Sequence, residues 1–231
     1  MEKRPKKTPT HTLCWTTNCL KLALTVILLL PGLVATGYIP HHYQTIEPIL
    51  ALQVRAIEKP RPRELVKIFS IIEANRPDMM DRKAWELSEV ILKESSKYKL
   101  DPILILAVID VESKFQFGAI SPTGARGIMQ IMPATGKFLV RSVRGLAEEI
   151  KAEPFTPEHL DDPIVNIKLG TYYLHDLRKN FQNVSKALIA YNLGPTELRI
   201  RMENQIEYTD EYANAVFAAQ QKLKKVKPAT F

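Results

Sequence analysis

One carboxylic acid and one amide lie at the edges of the most apolar part of this chain. Glu112 ends the run "ILILAVIDVE", and Gln130 interrupts a second apolar segment, "GIMQIMP". A buried carboxyl at the negative end of a helix dipole is disfavoured in its charged form, so we expect the pKa of Glu112 to lie above the reference value of about 4.3. An acid of this kind holds a proton near neutral pH, which is what general acid catalysis requires.

Neither residue indicates a function alone. A glutamate at the end of a helix is more often a solvated surface residue than a catalytic one. A buried amide such as Gln130 costs about 1–3 kcal/mol unless both of its ends are satisfied, so either the fold satisfies it or it binds a ligand in a cleft. Asp110 is a second carboxylate, but it points to nearly the opposite side of a helix from Glu112 and is predicted to be structural.

The segment between the acid and the amide is rich in turn residues. "SPTGARG", from Ser121 to Gly127, contains glycines that let the backbone approach a ligand closely. The hydroxyl of Ser121 and the backbone groups of this segment can bind a polar polymer. An ordinary surface loop has the same composition, so the segment indicates a binding site only together with its neighbours.

Helix start and stop signals place these residues in the fold. Asp101-Pro102 pairs a capping carboxylate with a proline at the first helical position, which favours a buried helix over a parallel-sheet strand. Asp162-Pro163 starts a second helix in the same way, and a third, "VSKALIAYN", ends at Gly194-Pro195. No strand is predicted outside the turn-rich residues 116–127. The predicted fold class is therefore mainly α.

Two amphipathic helices are predicted at the ends of this region. The first begins with Asp81 as its N-cap and has Trp85 and Ile91 on one face. The last covers residues 207–225, and its contact side is predicted to carry Tyr208, Tyr212 and Ala215. We expect a folded domain over residues 81–227, preceded by a helical stalk over residues 40–80 that several prolines interrupt.

The N-terminal part is predicted to be a targeting segment. No charged residue occurs from Leu22 to Ile39, which is just long enough to cross a bilayer, and the neighbouring basic residues precede it. Residues 1–21 are therefore predicted to be a basic cytoplasmic leader, with the rest of the chain exported. The small residues Ala35-Thr36-Gly37 also resemble a signal-peptide cleavage site, but the long polar leader favours a retained inner-membrane anchor.

The charge distribution and the cysteine content limit which binding partners and cofactors are predicted. The formal net charge of +7 is concentrated in the leader, and the remainder of the chain is nearly balanced. This argues against nucleic acid and leaves the anionic bacterial envelope as an adequate partner. Cys14 and Cys19, the only cysteines, fit no metal motif, so neither a metal nor a cofactor is predicted.

Four motifs together resemble one known family. They are Glu112-Ser113, Ser121-Pro-Thr-Gly, Gly127-Ile-Met-Gln130 and Ala190-Tyr-Asn-Leu-Gly-Pro195. In order and spacing they are similar to those of the bacterial soluble-lytic-transglycosylase family, which has a lysozyme-like fold. The resemblance runs from about Asp81 to Val216 and includes the segments "YLHDL" and "YTDEYANAV".

The resemblance implies a site and a substrate. Glu112 is implied to be the sole catalytic acid, with Tyr191 close to it. Ile128 and Leu193 stand where the family commonly has leucine and alanine, and both are apolar exchanges. The implied substrate and partner is peptidoglycan, with the catalytic domain in the periplasm. The residues implied to line the glycan cleft are Ser121, Met129, Gln130, Tyr191 and Asn192.

A transglycosylase explains why only one acid lies within a convincing motif, since glycosidases usually employ two. Glu112 would protonate the oxygen between N-acetylmuramic acid and N-acetylglucosamine, then accept a proton from the attacking muramic C6 hydroxyl. Two alternatives stay open. One is a hydrolytic muramidase, with Asp161, Asp162 or Glu197 as its second carboxylate. The other is a non-catalytic envelope protein that binds peptidoglycan, against which the intact motif set argues.

Overall fold

The computed structural model describes residues 62–143, 145–150 and 154–229, which belong to one compact unit. Among these residues no helix is long and apolar enough to cross a membrane. The predicted leader and membrane segment lie outside the described residues. The helices, in chain order, are α1 Arg63–Asn75, α2 Asp81–Tyr98, α3 Pro102–Ser113, α4 Pro133–Ser142, α5 Leu146–Glu149, a 3-10 helix Pro157–Asp161, α6 Pro163–Phe181, α7 Val184–Leu193, α8 Pro195–Glu203 and α9 Glu211–Lys224.

The mainly α architecture is confirmed. Within the described ranges the extended backbone amounts to isolated bridges, which pair Arg126 with Ile120 and with Ile131 in the predicted turn-rich region. These bridges fold the segment between α3 and α4 into a compact loop, which we call the turn loop (residues 119–131). The loop packs beside the C-terminal end of α3, where Glu112 lies.

Helix α3 is the centre of the unit, as its composition predicts. Asp101 accepts a hydrogen bond from the backbone N–H of Ile103 at 2.8 Å, and Pro102 occupies the first turn. Every residue from Leu104 to Asp110 is buried. Burying each of the larger apolar side chains contributes roughly 1.5–3 kcal/mol. Helices α1, α2 and α9 pack around α3, so its end is held rigidly.

The second half of the chain follows the predicted capping signals. Asp162 accepts hydrogen bonds from Ile164 and Val165 at the start of α6. Helix α7 ends at Gly194, whose φ of 95° lies in the left-handed region. The helical path resumes at once, because Pro195 is the first residue of α8. The stop signal was therefore predicted, and the following helix was not.

The predicted stalk of residues 40–80 is wrong from Arg63 onward. Helix α1 buries Ile68, Phe69, Ile71 and Ile72 in the same core as α2 and α3, with at most 2% of each residue exposed. The ring of Phe69 stacks on that of Trp85, with centroids 3.9 Å apart. Apolar residues at helical spacing predict an amphipathic helix, but they do not say which surface covers it. The folded unit thus begins before Asp81.

The helix faces also differ in detail from the prediction. Helix α9 begins at Glu211, so Tyr208 precedes it, and Ala215 is exposed. Its buried residues are Ala213, Val216, Ala219 and Leu223. In α2 the N-cap position is taken by Met80, and Asp81 is the first helical residue. Of the three residues predicted for the contact side of the last helix, Tyr212 lies within α9 and is half-buried.

Candidate active site

Glu112 lies at the penultimate position of α3 and is half-buried. Burial raises the pKa of its carboxyl to about 7, and a hydrogen bond from Tyr212 acts in the opposite direction. The predicted direction of the shift is confirmed, with loss of solvation as its main cause. Near neutral pH this carboxyl exists in both protonation states, so it can donate a proton and accept one.

The hydrogen-bond partner of Glu112 comes from the far end of the chain. The hydroxyl of Tyr212, in the first turn of α9, donates to Oε1 of Glu112 at 2.5 Å. Burial, and then the nearby carboxyl, raise the pKa of Tyr212, so the phenol remains protonated as a donor. Tyr212 belongs to the quoted "YTDEYANAV" segment, but its position on the predicted helix gave it no role at the acid.

Tyr191 lies in the same buried region but has a different hydrogen-bond partner. Its hydroxyl donates to the backbone carbonyl of Met129 at 2.9 Å, and its ring packs against Tyr173 with centroids 5.2 Å apart. Burial raises the pKa of Tyr191 well above its ordinary value, and the charge of Glu112 contributes to the increase. Tyr191 is therefore close enough to interact electrostatically with Glu112 while it anchors the turn loop.

The turn loop is attached to α3 and α6 by polar groups. Ser113, next to Glu112, donates to the carbonyl of Ile128 at 2.7 Å. Asn166 is fully buried on α6, where its side chain accepts from the N–H of Met129 and donates to the carbonyls of Arg126 and Leu160. These bonds satisfy backbone groups that would otherwise be buried without partners. They fix the distance between the loop and the acid.

The side chain of Gln130 forms hydrogen bonds within the turn loop. Its backbone φ is 50°, and its side-chain nitrogen donates to the carbonyls of Ala119 and Gly127, both at 2.9 Å. The donor end of the amide is thus satisfied by the fold. Of the two roles that the sequence leaves open for Gln130, the structural one is present in these contacts.

Ser121 and Asn192 differ in how free their side chains are. The hydroxyl of Ser121 pairs with that of Thr123 and accepts from the N–H of Ala125, both at 2.9 Å, so it organises its own turn. Asn192 is exposed near the end of α7, directly after Tyr191. Its side chain is available to a ligand on that surface.

Met129 reaches the site only through its backbone. Its side chain is fully buried and packs over Gly170, where an added Cβ would lie 2.5 Å from the sulfur. The exposed methionine of this segment is Met132, with 43% of its surface accessible. The left-handed backbone at Gln130 reverses the direction of the chain between them. The implied place of Met129 in a glycan cleft is therefore left to its backbone, because its side chain belongs to the core.

The other carboxylates proposed for chemistry have structural partners. Asp161 forms a two-point ion pair with Arg126, at 3.0 and 2.5 Å, and Asp162 caps α6. Glu197 pairs with Arg201 at 2.7 Å. Asp110 is buried and pairs with Lys114, as its predicted structural role requires. Asp161 and Glu197 are thus engaged in ion pairs, and Asp162 in a helix cap.

A groove of about 590 Å³ opens between α4, α6 and α8. Its lining includes Phe138, which is 64% exposed, and Asp176, which accepts from Asn180 at 3.0 Å. Tyr173 also lines the groove and connects it to the site, since its ring touches that of Tyr191. Exposed aromatic and amide groups together are suited to a polar, ring-shaped ligand.

Two residues of this region were missed by the sequence reasoning. Tyr212 and Asn166 lie 100 and 54 positions from Glu112, and each is joined to the site by a hydrogen bond that only the folded chain allows. Asn166 had a visible signal, because it is a lone amide in the otherwise apolar start of α6. The sequence signal for Tyr212 was weaker, because an aromatic residue at helical spacing usually belongs to the core.

Comparison with known proteins identifies the family that this part of the chain matches. The family described as "Transglycosylase SLT domain" matches residues 89–214, which is more than half of the chain. Membrane-bound lytic murein transglycosylase C of Serratia proteamaculans is 33% identical over 135 residues, covering 55% of this chain and 36% of that protein. The protein of the same name from Edwardsiella ictaluri is 33% identical over 138 residues, with the same coverage.

Solved structures agree with the fold. The 70 kDa soluble lytic transglycosylase of Escherichia coli is similar with a TM-score of 0.51 and 27% identity, over 59% of this chain and 24% of that one. A complex of the 70-kDa soluble lytic transglycosylase with bulgecin A has a TM-score of 0.53 at 18% identity, over 100% of this chain and 39% of that one, which supports the fold alone.

The chain spans only about a third of the length of these curated relatives. The segment that matches the family model contains Glu112, the turn loop and Tyr191. The family match begins within α2 and ends within α9, so it includes Glu112 and its hydrogen-bond partner Tyr212. The chain belongs to the family of proteins with a transglycosylase SLT domain.

Proposed function

We propose that this protein is a peptidoglycan lytic transglycosylase that cleaves the β-1,4 bond between N-acetylmuramic acid and N-acetylglucosamine. The observation that carries the proposal is the half-buried carboxyl of Glu112. Its pKa is raised to about 7 by burial, and it lies beside the motifs of the matched family. A pKa near the working pH suits one group that must act first as acid and then as base.

The reaction needs two proton transfers at one carboxyl, the first from Glu112 and the second to it. Glu112 in its acid form gives its proton to the glycosidic oxygen, and the bond from that oxygen to the muramic anomeric carbon breaks. The muramic C6 oxygen then bonds to the same carbon, and the proton of the C6 hydroxyl passes to the Glu112 carboxylate, which restores the acid. The products are a free 4-hydroxyl and a 1,6-anhydromuramic end, and no water is consumed.

The environment of Glu112 supports both halves of this cycle. Burial favours the acid form, which protonates the leaving oxygen. The hydroxyl of Tyr212 donates to Oε1 and so stabilises the carboxylate that forms next. The same bond restricts the rotation of the carboxyl and leaves its other oxygen for the substrate.

The partners of the remaining carboxylates favour this reaction over hydrolysis. A hydrolytic enzyme of the usual kind has a second carboxylate that holds a water or attacks the sugar. Asp161 is engaged by Arg126, Asp162 by the start of α6, and Glu197 by Arg201. Recruiting any of them would break a structural contact, so an internal hydroxyl is the simpler nucleophile.

We assign substrate contacts to both sides of the acid. Asn192 is exposed on α7, and Ser121 and Gln130 shape the turn loop. Met129 would contribute its backbone to the substrate contacts. Tyr191 would support the turn loop through its hydrogen bond to the carbonyl of Met129. The groove that includes Phe138 would receive a further part of the glycan, with the exposed ring against a sugar face.

The proposed location is the cell envelope, with the domain in the periplasm and the N-terminal apolar segment in the inner membrane. Two curated relatives are named membrane-bound enzymes. A C-terminal reporter that is active only outside the cytoplasm should work on the full-length chain. A soluble mature protein beginning near Tyr38 would instead identify a cleaved signal peptide.

Mass analysis of muropeptides tests the proposed reaction directly. Purified peptidoglycan is digested with the full-length protein, and the released fragments are compared with those from a hydrolytic muramidase. The expected fragments are lighter by one water than the corresponding hydrolysis products. Hydrated reducing ends as the main product would assign a muramidase, and the absence of released fragments would leave a binding protein.

A further inference from the structure

A single arginine outside the matched family segment is connected to the turn that follows Glu112. Arg76 lies at the C-terminal end of α1, whereas the family match begins at residue 89. One guanidinium nitrogen of Arg76 donates to the backbone carbonyl of Phe115 at 2.8 Å. Two others donate to the two carboxylate oxygens of Asp78, each at 2.8 Å. The guanidinium also lies 5.1 Å from the ring centroid of Phe117.

The carbonyl that Arg76 holds belongs to an unusual turn. Lys114 and Phe115 have φ angles of 52° and 62°, so two consecutive non-glycine residues adopt the left-handed conformation directly after α3. Such a conformation is unfavourable for residues with a Cβ and persists only where the surroundings impose it. The ring of Phe115 is fully buried, and Arg76 fixes the carbonyl at the other side of the same residue.

The turn connects the acid to the turn loop. Ser113 is attached to the carbonyl of Ile128, and the carbonyl of Ala119 is held by Gln130. Between these attachments the chain is held at Phe115 by Arg76. These three contacts hold the chain on the C-terminal side of Glu112, from the end of α3 to the turn loop.

We propose that Arg76 is a positioning residue for Glu112, which it holds in place through the carbonyl of Phe115 and the left-handed turn. This inference rests on the proposed function. Asp78 orients the guanidinium by a two-point pair, and Phe117 covers one face of it, so an ammonium group cannot make the same set of contacts. The site of this family is thus supported here by a residue that the family match does not include.

Loosening the turn should alter the solvation of the acid. The titratable groups that interact with Glu112 are Tyr212 on α9 and Tyr191 on α7, and neither contacts Arg76 in the bonds described. When the end of α3 gains freedom, water can reach the carboxyl and stabilise its charged form. The acid should then lose its proton at a lower pH than in the natural protein.

The experiment compares full-length Arg76→Met and Arg76→Lys with Arg82→Met, a control that removes an exposed arginine six positions along the chain. Turnover and KM are measured on peptidoglycan across pH, per folded molecule. The titration of Glu112 is followed by NMR of ¹³C-labelled glutamate carboxyls, and the signal is assigned by its loss in Glu112→Gln. The NMR measurement needs no catalytic activity.

We expect Arg76→Met to lower turnover by about tenfold or more, with a much smaller change in KM, because a misplaced catalytic group mainly loses rate. The alkaline limb of the activity and the Glu112 signal should both move to lower pH. Arg76→Lys should fall between Arg76→Met and the natural protein, and Arg82→Met should match the natural protein.

An unchanged Glu112 titration together with unchanged turnover per folded molecule would overturn the proposal and leave Arg76 a stability residue. Should Arg76→Met not fold, Arg76→Lys and Asp78→Asn are judged by the same two measurements. If the natural protein releases no anhydro product, the proposed function fails. The NMR titration of Glu112 still decides whether Arg76 positions the carboxyl.

Discussion

The hydroxyl of Tyr212 donates a hydrogen bond to Oε1 of Glu112 at 2.5 Å, although 100 positions separate the two residues. This hydrogen bond and burial have opposite effects on the pKa of Glu112. Burial raises the pKa, whereas a donor to the carboxylate stabilises the charged form and lowers it. The pKa of about 7 for Glu112 is therefore the result of two effects, the increase caused by loss of solvation and the smaller decrease caused by the Tyr212 hydroxyl. The packing of α9 on α3 sets that balance.

Tyr212→Phe should raise the pKa of Glu112 further, because burial then acts without an opposing hydrogen bond. A hydrogen bond to a charged group contributes about 1.5–3 kcal/mol, so the alkaline limb of the activity should move up by about one pH unit or more. Turnover should also fall, since the carboxyl loses its orientation. The measurement is the rate of peptidoglycan cleavage from pH 5 to pH 9.

Tyr208→Phe is the matched control for that prediction. It removes a phenolic hydroxyl from the segment just before α9, away from the bond to Glu112. Its pH profile should equal that of the natural protein. An alkaline limb that stays in place in Tyr212→Phe would show that this hydroxyl does not control the protonation of Glu112.

Glu112→Gln should abolish most of the activity. The amide keeps the shape of the side chain and can still accept from Tyr212, but it cannot deliver or recover a proton. General acid–base catalysis accounts for roughly 10²–10⁴-fold in rate, and one residue supplies both steps here, so the loss should reach the upper end of that range or exceed it. Glu89→Gln, at an exposed position of α2, is the control. Activity equal to the natural protein in Glu112→Gln would remove the proposed mechanism.

The same substitution should stabilise the protein at alkaline pH. The folded pKa of Glu112 is raised from 4.5 to about 7, so folding binds a proton between these values and the natural protein loses stability as pH rises through them. The loss is on the order of 3 kcal/mol and is nearly complete by about pH 8. Glu112→Gln avoids it. Denaturant unfolding at pH 4 and pH 8 should show equal stabilities at the first pH and a more stable variant at the second.

Gln130→Ala should destabilise the fold as well as impair cleavage. The side-chain nitrogen of Gln130 satisfies the carbonyls of Ala119 and Gly127, and leaving them without a partner costs about 1–3 kcal/mol. Gln182→Ala is a close control, because Gln182 also has a left-handed φ, of 51°, but an exposed side chain. The difference between the two melting temperatures isolates the side-chain bonds from the backbone strain. Equal melting shifts would leave Gln130 with a ligand-binding role only.

Gly127→Ala should be far more damaging than Gly124→Ala. Both glycines have a left-handed φ, of 80° and 87°, so both substitutions strain the backbone by about 1–2 kcal/mol. At Gly127 the added Cβ would also lie 2.1 Å from the carbonyl oxygen of Leu160 and 2.2 Å from the amide nitrogen of Asn166. At Gly124 nothing lies within 4 Å.

We expect Gly127→Ala to lose at least about 3 kcal/mol of stability, since overpacking and the broken Asn166 bonds add to the strain. Thermal unfolding of the two variants measures the difference. Comparable losses at both positions would mean that the turn loop can move away from α6 without cost.

Local signals in the sequence were sufficient for the helices that carry the site. Asp101-Pro102 predicted the start of α3, Asp162-Pro163 that of α6, and Gly194 the end of α7. The apolar run before Glu112 predicted its burial and the direction of its pKa shift. These predictions hold because caps, prolines and apolar periodicity act within a few residues of one another.

Contacts between distant segments could not be predicted from such local signals. Helical periodicity made α1 amphipathic, but only the packed structure shows that Phe69 completes the core and that Arg76 reaches Phe115. Likewise, two methionines flank Gln130, and the left-handed turn at Gln130 decides that Met129 is buried and Met132 exposed. The backbone direction at one residue is set by its surroundings, not by its side-chain type.

The sequence by itself therefore determined where the acid stands along the chain, which helix carries it and why it holds a proton. The tertiary structure alone decided that Tyr212 donates to Glu112 and that Asp161, Asp162 and Glu197 have other partners. The physical reason is the range of the interactions. Capping and periodicity are local, whereas a hydrogen bond between α3 and α9 exists only after both helices have buried their apolar faces against each other.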